Sequence, residues 1–160
     1  MLKNIFLITI LCANLWATTI KVDRVVVKKS ESTLYLMKNK KIIKQYKVSF
    51  GAEPKGHKQQ EGDEKTPEGN YTLDYKNSKS GYYKSIHLSY PNKKDKQKAK
   101  KLGVSAGGDI MIHGQKNGFS LLYFLTKWFN WTNGCMAVSN KEMDEIWNLV
   151  KVGTPIEIRK

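Results

Sequence analysis

The chain has 160 residues, of which 40% are hydrophobic and 26% are charged. This length and composition suit one globular domain with a sizeable core, and they exclude two large domains or a generally disordered chain. The net charge of +14 favours anionic surroundings such as envelope lipids or wall polymers. Specific nucleic-acid binding is not expected, because the chain has only two arginines, Arg24 and Arg159, and no recognition motif.

The first residues have the pattern of a secretory signal peptide. Lys3 supplies the positive start, residues 4–15 are mostly apolar, and Ala17 is a small residue at a plausible cleavage point. The apolar run is shorter than the roughly 20 residues that a membrane-spanning helix needs. We therefore predict a signal peptide at residues 1–17 and an exported domain at residues 18–160, with no stable membrane insertion. A membrane or lipid anchor is the alternative.

Alternating apolar residues predict strands in the first half of the chain. Residues 19–50 alternate in this way, and Asn39-Lys40 is predicted to turn a hairpin. Residues 51–67 are rich in glycine, proline and charge and are predicted to form a long loop. The stretches GNYTLDY and YKSIHLSY are predicted strands, and GGDIMIHG is a short apolar strand that ends at His113-Gly114.

The second half of the chain adds helices. Residues 93–101 are lysine-rich and predict a solvated helix, while the aromatic residues 119–131 predict a short helix and a loop. Ser139 and Glu142 form a predicted S-x-x-E capping box. The apolar residues that follow recur at helical spacing: Met143, Ile146, Trp147 and Val150. Gly153 is predicted to end this helix before a closing strand, PIEIRK. The predicted fold is a mostly β single domain, a sandwich or barrel-like sheet with two or three short helices.

Cys135 is the only cysteine outside the predicted signal peptide, and it follows Gly134 in the stretch WTNGCMAV. A lone cysteine in an exported protein has no partner in its own chain. We interpret it as a reactive thiol, the alternative being a buried cysteine that packs as a small hydrophobe. A thiol nucleophile needs a base, and His113, 22 residues earlier at a strand end, is the candidate. The amides of Gly134 and Cys135 are candidate oxyanion donors.

Two further histidines are present. His57 lies in the long loop and His87 lies within a predicted strand. A zinc site needs clustered ligands, commonly with two histidines close in sequence, and none of the three histidines is near another. No metal is therefore expected.

Six blocks of the chain, in order, resemble the L,D-transpeptidase catalytic domain, the YkuD-type family of peptidoglycan enzymes. They cover nearly the whole predicted mature chain: VSFG, GDEKTPEGNYTL, HLSYPNKKDKQKAKKLG, DIMIHG, WTNGCMAVSN and VGTPIEIRK. The block WTNGCMAVSN resembles a subset of the family with the pattern W-T-x-G-C-[hydrophobic]-A-V. Many other members have histidine before the Gly-Cys pair and arginine or asparagine two residues after the cysteine, whereas Asn133 and Ala137 stand there in this chain.

The resemblance implies an exported, periplasmic enzyme of cell-wall biogenesis and cell shape that needs no metal or organic cofactor. Cys135 would attack the carbonyl of meso-diaminopimelate in a tetrapeptide stem of peptidoglycan, D-alanine would leave, and an amine would take the acyl group. His113 would be the general base, held by the backbone oxygen of Gly114, and the hydroxyl of Thr132 would stabilise the loop. The alternatives are an L,D-carboxypeptidase or amidase-type hydrolase with the same site, and a non-catalytic envelope-binding module.

The substrate groove is predicted less directly. Asn133, at the position where many family members have histidine, is a candidate substrate-binding residue. Tyr90, Asn92 and the loop from Gly62 to Gly69 either shape the groove or form turns. The aromatic side chains of residues 119–131 form either a lid over the cysteine or part of the core.

Overall fold

The structure is a computed structural model that describes residues 21–160. The predicted signal peptide, residues 1–17, lies outside the described residues. The described part contains eight strands: β1 Arg24–Lys28, β2 Thr33–Lys38, β3 Lys41–Lys47, β4 Gly69–Ser80, β5 Tyr83–Leu88, β6 Met111–His113, β7 Met136–Ala137 and β8 Thr154–Arg159. Its α-helices are α1 Lys93–Leu102, α2 Tyr123–Thr126 and α3 Asn140–Leu149. Short 3-10 turns span Lys29–Glu31 and Ser120–Leu122.

All eight strands belong to one sheet, in the order β3-β2-β1-β8-β4-β5-β6-β7. The pairs β1–β8 and β6–β7 are parallel, and the other neighbours are antiparallel. Strands β3 and β7 lie at the two edges of this sheet, and the segment that follows β3 forms backbone hydrogen bonds with β7. The Ser49 amide donates to the Ala137 carbonyl at 3.0 Å, and the Ala137 amide donates back at 2.9 Å. The sheet is therefore curled and nearly closed, which confirms the barrel-like form of the prediction.

The core lies inside this curl and under α3. Strand residues that alternate along the sequence place one apolar face inward, as with Val25 and Val27 of β1, both fully buried. Met143 and Ile146 of α3 are also fully buried in the same cluster. The helix begins at the predicted cap, because the Ser139 hydroxyl accepts from the Glu142 amide at 3.2 Å.

Several predicted boundaries shift in the structure. The hairpin turn at Asn39 and Lys40 is present, with φ of 50° and 63°. In contrast, α3 ends at Leu149 rather than at Gly153, because Val150 already has an extended backbone. Strand β4 continues to Ser80, five residues beyond the predicted GNYTLDY stretch, because β5 pairs with it as far as Tyr83. No described helix is long and apolar enough to cross a membrane.

Candidate active site

His113 is the last residue of β6, and only 4% of it is exposed. Its Nδ1 lies 2.6 Å from the Gly114 carbonyl oxygen. A carbonyl can only accept, so Nδ1 carries the proton and Nε2 is the basic nitrogen of the neutral ring. Burial lowers the pKa of His113, and the contact with Gly114 offsets only part of that shift. The imidazole is therefore neutral near pH 7, the form that a general base needs.

Cys135 directly precedes β7, which runs parallel to β6. Met136 pairs with Ile112 and both are fully buried, while Ala137 pairs with His113. Because side chains alternate along a strand, Cys135 projects from the face opposite Met136, the face that His113 also uses. The thiol and the imidazole thus face the same side from adjacent strands.

These two side chains line one pocket of about 310 Å³. Its other lining residues are Tyr82, Gly108, Asp109, Ile110, Trp131, Thr132 and Asn133. The Cys135 thiol donates to the Asp109 carbonyl oxygen at 3.4 Å. Burial raises the pKa of this thiol, and the Met111 amide, which hydrogen-bonds the sulfur, counters it only in part. At rest the site therefore pairs a protonated thiol with a neutral imidazole.

Thr132 organises the loop that carries the cysteine. Its buried hydroxyl donates to the Cys135 carbonyl at 2.8 Å and accepts from the Gly134 amide at 3.2 Å. Of the two candidate oxyanion donors, the Gly134 amide is thus hydrogen-bonded inside the loop. The Cys135 amide remains the candidate for that role.

The long loop between β3 and β4 braces this cysteine loop from the other side. The Thr66 hydroxyl, fully buried, donates to the Gly134 carbonyl at 2.8 Å. Gly134 itself has φ +109°, a backbone conformation that side-chain-bearing residues rarely adopt. Gly51 packs so tightly that an added Cβ would lie 1.9 Å from the Glu64 carbonyl oxygen. The middle of the predicted groove loop, residues 62–69, therefore lies at the site.

An aromatic cluster covers His113. The Tyr82 ring lies 4.7 Å from the His113 ring, and Trp131 lies 5.9 Å from it, edge-on. Sequence reasoning missed Tyr82, which lies at the tip of the β4–β5 hairpin and carries no local motif. Within residues 21–160, two buried side-chain atoms lack a hydrogen-bond partner, Trp131 Nε1 and Ser85 Oγ, and Ser85 is the cross-strand partner of His113.

The groove continues beyond the cysteine. A second pocket of about 400 Å³ shares Gly108, Asp109 and Asn133 with the first. The structure therefore places Asn133, a predicted substrate-binding residue, between the two pockets. Lys58, Glu61 and Glu64 add charged groups to the second pocket.

Tyr90 and Asn92, the other two predicted substrate-binding residues, do not line the Cys135 pocket. Tyr90 is buried, and its hydroxyl donates to the Ala106 carbonyl at 3.0 Å. Asn92 is the N-cap of α1 and accepts from the Lys94 amide at 2.8 Å. Their contacts within the domain are those of packing and capping residues, and the structure does not bring them to Cys135.

The remaining histidines have structural partners. His57 Nδ1 accepts from the Glu68 amide at 3.0 Å, and its Nε2 lies 3.3 Å from Asp95. His87 Nδ1 lies 2.7 Å from Asp74, and its ring stacks on Tyr75 at 4.5 Å. No group of three or more histidine, cysteine or acidic side chains in the described ranges is placed to hold a metal ion.

The structure also describes the surroundings of Ala137 and of the aromatic residues 119–131. Ala137 is 1% exposed and lies between His113 and Ser49, so this backbone has no room for the arginine that many family members carry. Of the aromatic residues 119–131, Trp131 lines the Cys135 pocket. Phe124, Trp128 and Phe129 are exposed, so they lie outside the core, and they do not line that pocket.

A thiol and a neutral imidazole that face one groove of a curled β-sheet are the arrangement of a nucleophile and its base. The profile of the L,D-transpeptidase catalytic domain family (YkuD) matches residues 22–158. The chain belongs to this family, which confirms the resemblance seen in the sequence.

Known proteins similar to this chain include YafK of Escherichia coli (strain K12), which carries the L,D-transpeptidase name and is 31% identical over 111 residues, 68% of this chain and 37% of YafK. The helical cell shape determining protein Pgp2 of Campylobacter jejuni superimposes with a TM-score of 0.65 at 25% identity, over 90% of this chain and 52% of Pgp2. Bd1075 of Bdellovibrio bacteriovorus gives a TM-score of 0.60 at 25% identity, over 89% of this chain and 49% of Bd1075. The chain thus spans about half the length of these relatives, or less.

Proposed function

We propose that this protein is an exported cysteine acyl-transferase that acts on peptidoglycan stem peptides. The observation that carries the proposal is the shared pocket of Cys135 and His113, in which Gly114 orients the imidazole. Family membership supports the reaction class. The likeness to a cell shape determining protein supports a role in cell-wall biogenesis and cell shape.

In the first half-reaction, His113 Nε2 takes the proton of the Cys135 thiol as Sγ attacks the carbonyl carbon of meso-diaminopimelate. The Cys135 amide is the proposed donor to the oxyanion of the tetrahedral intermediate. The bond to D-alanine then breaks, and the departing nitrogen takes the proton from His113. A thioester on Cys135 and free D-alanine result.

In the second half-reaction, an amine attacks the thioester carbon and gives its proton to His113. The carbon–sulfur bond breaks, and the sulfur recovers that proton as a thiol. Water in place of the amine would make the protein an L,D-carboxypeptidase or amidase-type hydrolase. The extended groove around Asn133 favours transfer, because a second pocket next to the thioester provides space for an acceptor.

Export supports access to this substrate. The apolar N-terminal pattern proposed as a signal peptide would deliver the domain to the periplasm, where stem peptides are found. The net charge of +14 would hold the protein near anionic envelope polymers.

The test is incubation of the protein with tetrapeptide muropeptides, followed by mass spectrometry of the products. We expect a cross-linked dimer and released D-alanine, and a tripeptide product would indicate hydrolysis instead. Cys135→Ala and His113→Ala should each lower turnover at least about a hundredfold. Cys135 should also be acylated by a carbapenem in the wild type. An unacylated Cys135 together with unchanged activity in Cys135→Ala would leave a non-catalytic envelope-binding module as the better account.

A further inference from the structure

Six exposed apolar side chains cluster in the segment between β6 and β7. They form what we call the apolar patch: Phe119, Leu121, Phe124, Leu125, Trp128 and Phe129. Their exposed fractions range from 51% to 87%. Monomeric proteins rarely expose apolar side chains at this density unless the surface meets a partner or a membrane.

The segment that carries the patch is anchored to the domain. The Ser49 hydroxyl donates to the Thr126 carbonyl at 3.2 Å, and the Phe50 amide donates to the Asn130 side chain at 3.0 Å. The Trp131 amide then donates to the Phe50 carbonyl at 2.9 Å. These contacts hold the backbone against the sheet while the apolar side chains point outward.

The charged side chains within the segment that carries the patch are all positive. No aspartate or glutamate occurs from residue 110 to residue 141. Lys116 places its Nζ 5.6 Å from the Phe119 ring centroid, and Lys127 places its Nζ 5.1 Å from that of Trp128. In this segment aromatic and aliphatic side chains alternate with lysines, and acidic residues are absent. Such a segment is complementary to a layer whose surface carries negative charge and whose interior is apolar.

We propose that the apolar patch docks the domain on a bilayer that contains anionic phospholipid. Trp128, Phe129 and Leu121 would enter the boundary between headgroups and acyl chains, and Lys116 and Lys127 would turn from the rings to the lipid phosphates. A bilayer explains the charge as well as the apolar area, because a protein partner would not require a whole segment free of acidic residues. The patch ends two residues before Trp131, which lines the Cys135 pocket, so docking sets this pocket beside the membrane surface.

The test uses the full chain and phosphatidylcholine vesicles with and without phosphatidylglycerol, followed by sedimentation. We expect binding to the vesicles that contain phosphatidylglycerol, and a partition coefficient about tenfold lower in Trp128→Ser/Phe129→Ser. Lys116→Gln/Lys127→Gln and added salt should each remove most of the preference for the anionic lipid. Trp128→Phe should retain binding.

The matched control is Ile42→Ser/Leu102→Ser, since both residues are 56% exposed and lie on β3 and at the end of α1, outside the patch. It should partition like the wild type. Every variant keeps the apolar residues 4–15, so differences among variants report on the patch. Equal partitioning of the patch variant and the wild type would overturn the proposal. So would an oligomer that the patch substitutions dissociate without any change in vesicle binding, because the patch would then be a protein interface.

Discussion

Burial keeps both Cys135 and His113 in their uncharged forms. The site therefore differs from active sites in which the cysteine is already a thiolate before the substrate binds. The pKa of the thiol is raised and that of the imidazole is lowered, in each case chiefly because burial disfavours the charged form. A proton must therefore move from sulfur to nitrogen as the attack occurs. The backbone contact at Gly114 keeps the accepting nitrogen of His113 available for that step.

The state of the thiol can be measured through alkylation of Cys135 by iodoacetamide as a function of pH. A thiol with a raised pKa is more fully protonated at pH 7 than an ordinary cysteine, and its thiolate fraction grows as the pH rises through the shifted pKa. We expect the alkylation rate to have its midpoint above the ordinary value of 9.0. Peptide mapping separates Cys135 from Cys12. A midpoint near neutrality would indicate a preformed thiolate and contradict this account.

Gly51 lies where the loop between β3 and β4 and the cysteine loop pack closely together. An alanine Cβ there would lie 1.9 Å from the Glu64 carbonyl oxygen and 2.8 Å from the Gly134 nitrogen, and both of these neighbours are backbone atoms. We expect Gly51→Ala to lower the free energy of unfolding by at least about 3 kcal/mol, measured by urea denaturation. Gly81→Ala is the control, because an added Cβ there meets nothing within 4 Å. Equal stability of the two variants would mean that the loops separate easily.

The loop of residues 51–67 is long, yet a single carboxylate organises its turn. Asp63 accepts from Lys58 Nζ and from the Gln59 amide, both at 2.7 Å. Burial by itself would raise the pKa of Asp63, but these bonds and those from neighbouring amides outweigh burial, so its pKa is lowered. This turn places Glu64 and Thr66 next to the cysteine loop.

Asp63→Asn should therefore destabilise the protein in a pH-dependent way. At neutral pH we expect a loss of about 3 kcal/mol, because the Lys58 side chain, only 3% exposed, would lose its carboxylate partner. A lowered pKa stabilises the fold above the unfolded value of 3.8, and this contribution disappears as the pH falls through the folded value. Urea unfolding over a pH series measures both effects. Glu53→Gln, exposed in the same loop, should change little, and a pH-independent loss in Asp63→Asn would contradict the argument.

Helix α1 offers a test of how Asn92 is used. The Asn92 side chain accepts from the Lys94 and Asp95 amides, so Asn92→Ala should cost about 1 kcal/mol in the free energy of unfolding. The alkylation rate of Cys135 should stay unchanged, because Asn92 lines a different pocket from that of Cys135. Asn92→Ser should restore most of the stability. Lost turnover in Asn92→Ser at full stability would instead reveal a substrate contact.

At the scale of the whole molecule, the C-terminal strand lies near the centre of the sheet. Strand β8 pairs in parallel with β1 and antiparallel with β4, and its Ile156 and Ile158 are buried. In the strand order β8 joins the two halves of the sheet, whose outer edges contact each other again at the Ser49–Ala137 bridge. The β5–β6–β7 part that carries the active site therefore depends on the last residues of the chain.

A chain that ends at Gly153 should consequently fail to fold. It would expose the edges of β1 and β4 and lose two core isoleucines, each worth about 2–5 kcal/mol when truncated to alanine. Circular dichroism during thermal unfolding checks this, and we expect no cooperative transition. A chain that lacks only Lys160 is the control and should unfold like the full chain. A cooperative transition in the shorter chain would show that β8 is dispensable.

Local features were predictable because neighbouring residues determine them. The turn at Asn39-Lys40 and the capping box of Ser139 and Glu142 depend on backbone groups within a few positions. The strand that ends at His113 was visible for the same reason. For Tyr90 and Asn92 the sequence left groove and turn roles open, and their contacts with the Ala106 carbonyl and the Lys94 amide became visible only in the structure.

The sequence by itself determined the family, the mostly β fold and the candidate pair of Cys135 and His113, because these follow from motifs and from alternation along the chain. Tertiary structure alone decided that Tyr82 covers His113 and that Thr66 holds the Gly134 carbonyl. It also decided that the Gly134 amide is used within its own loop. The first two contacts join residues from distant segments, and only the order and curl of the sheet bring those segments together.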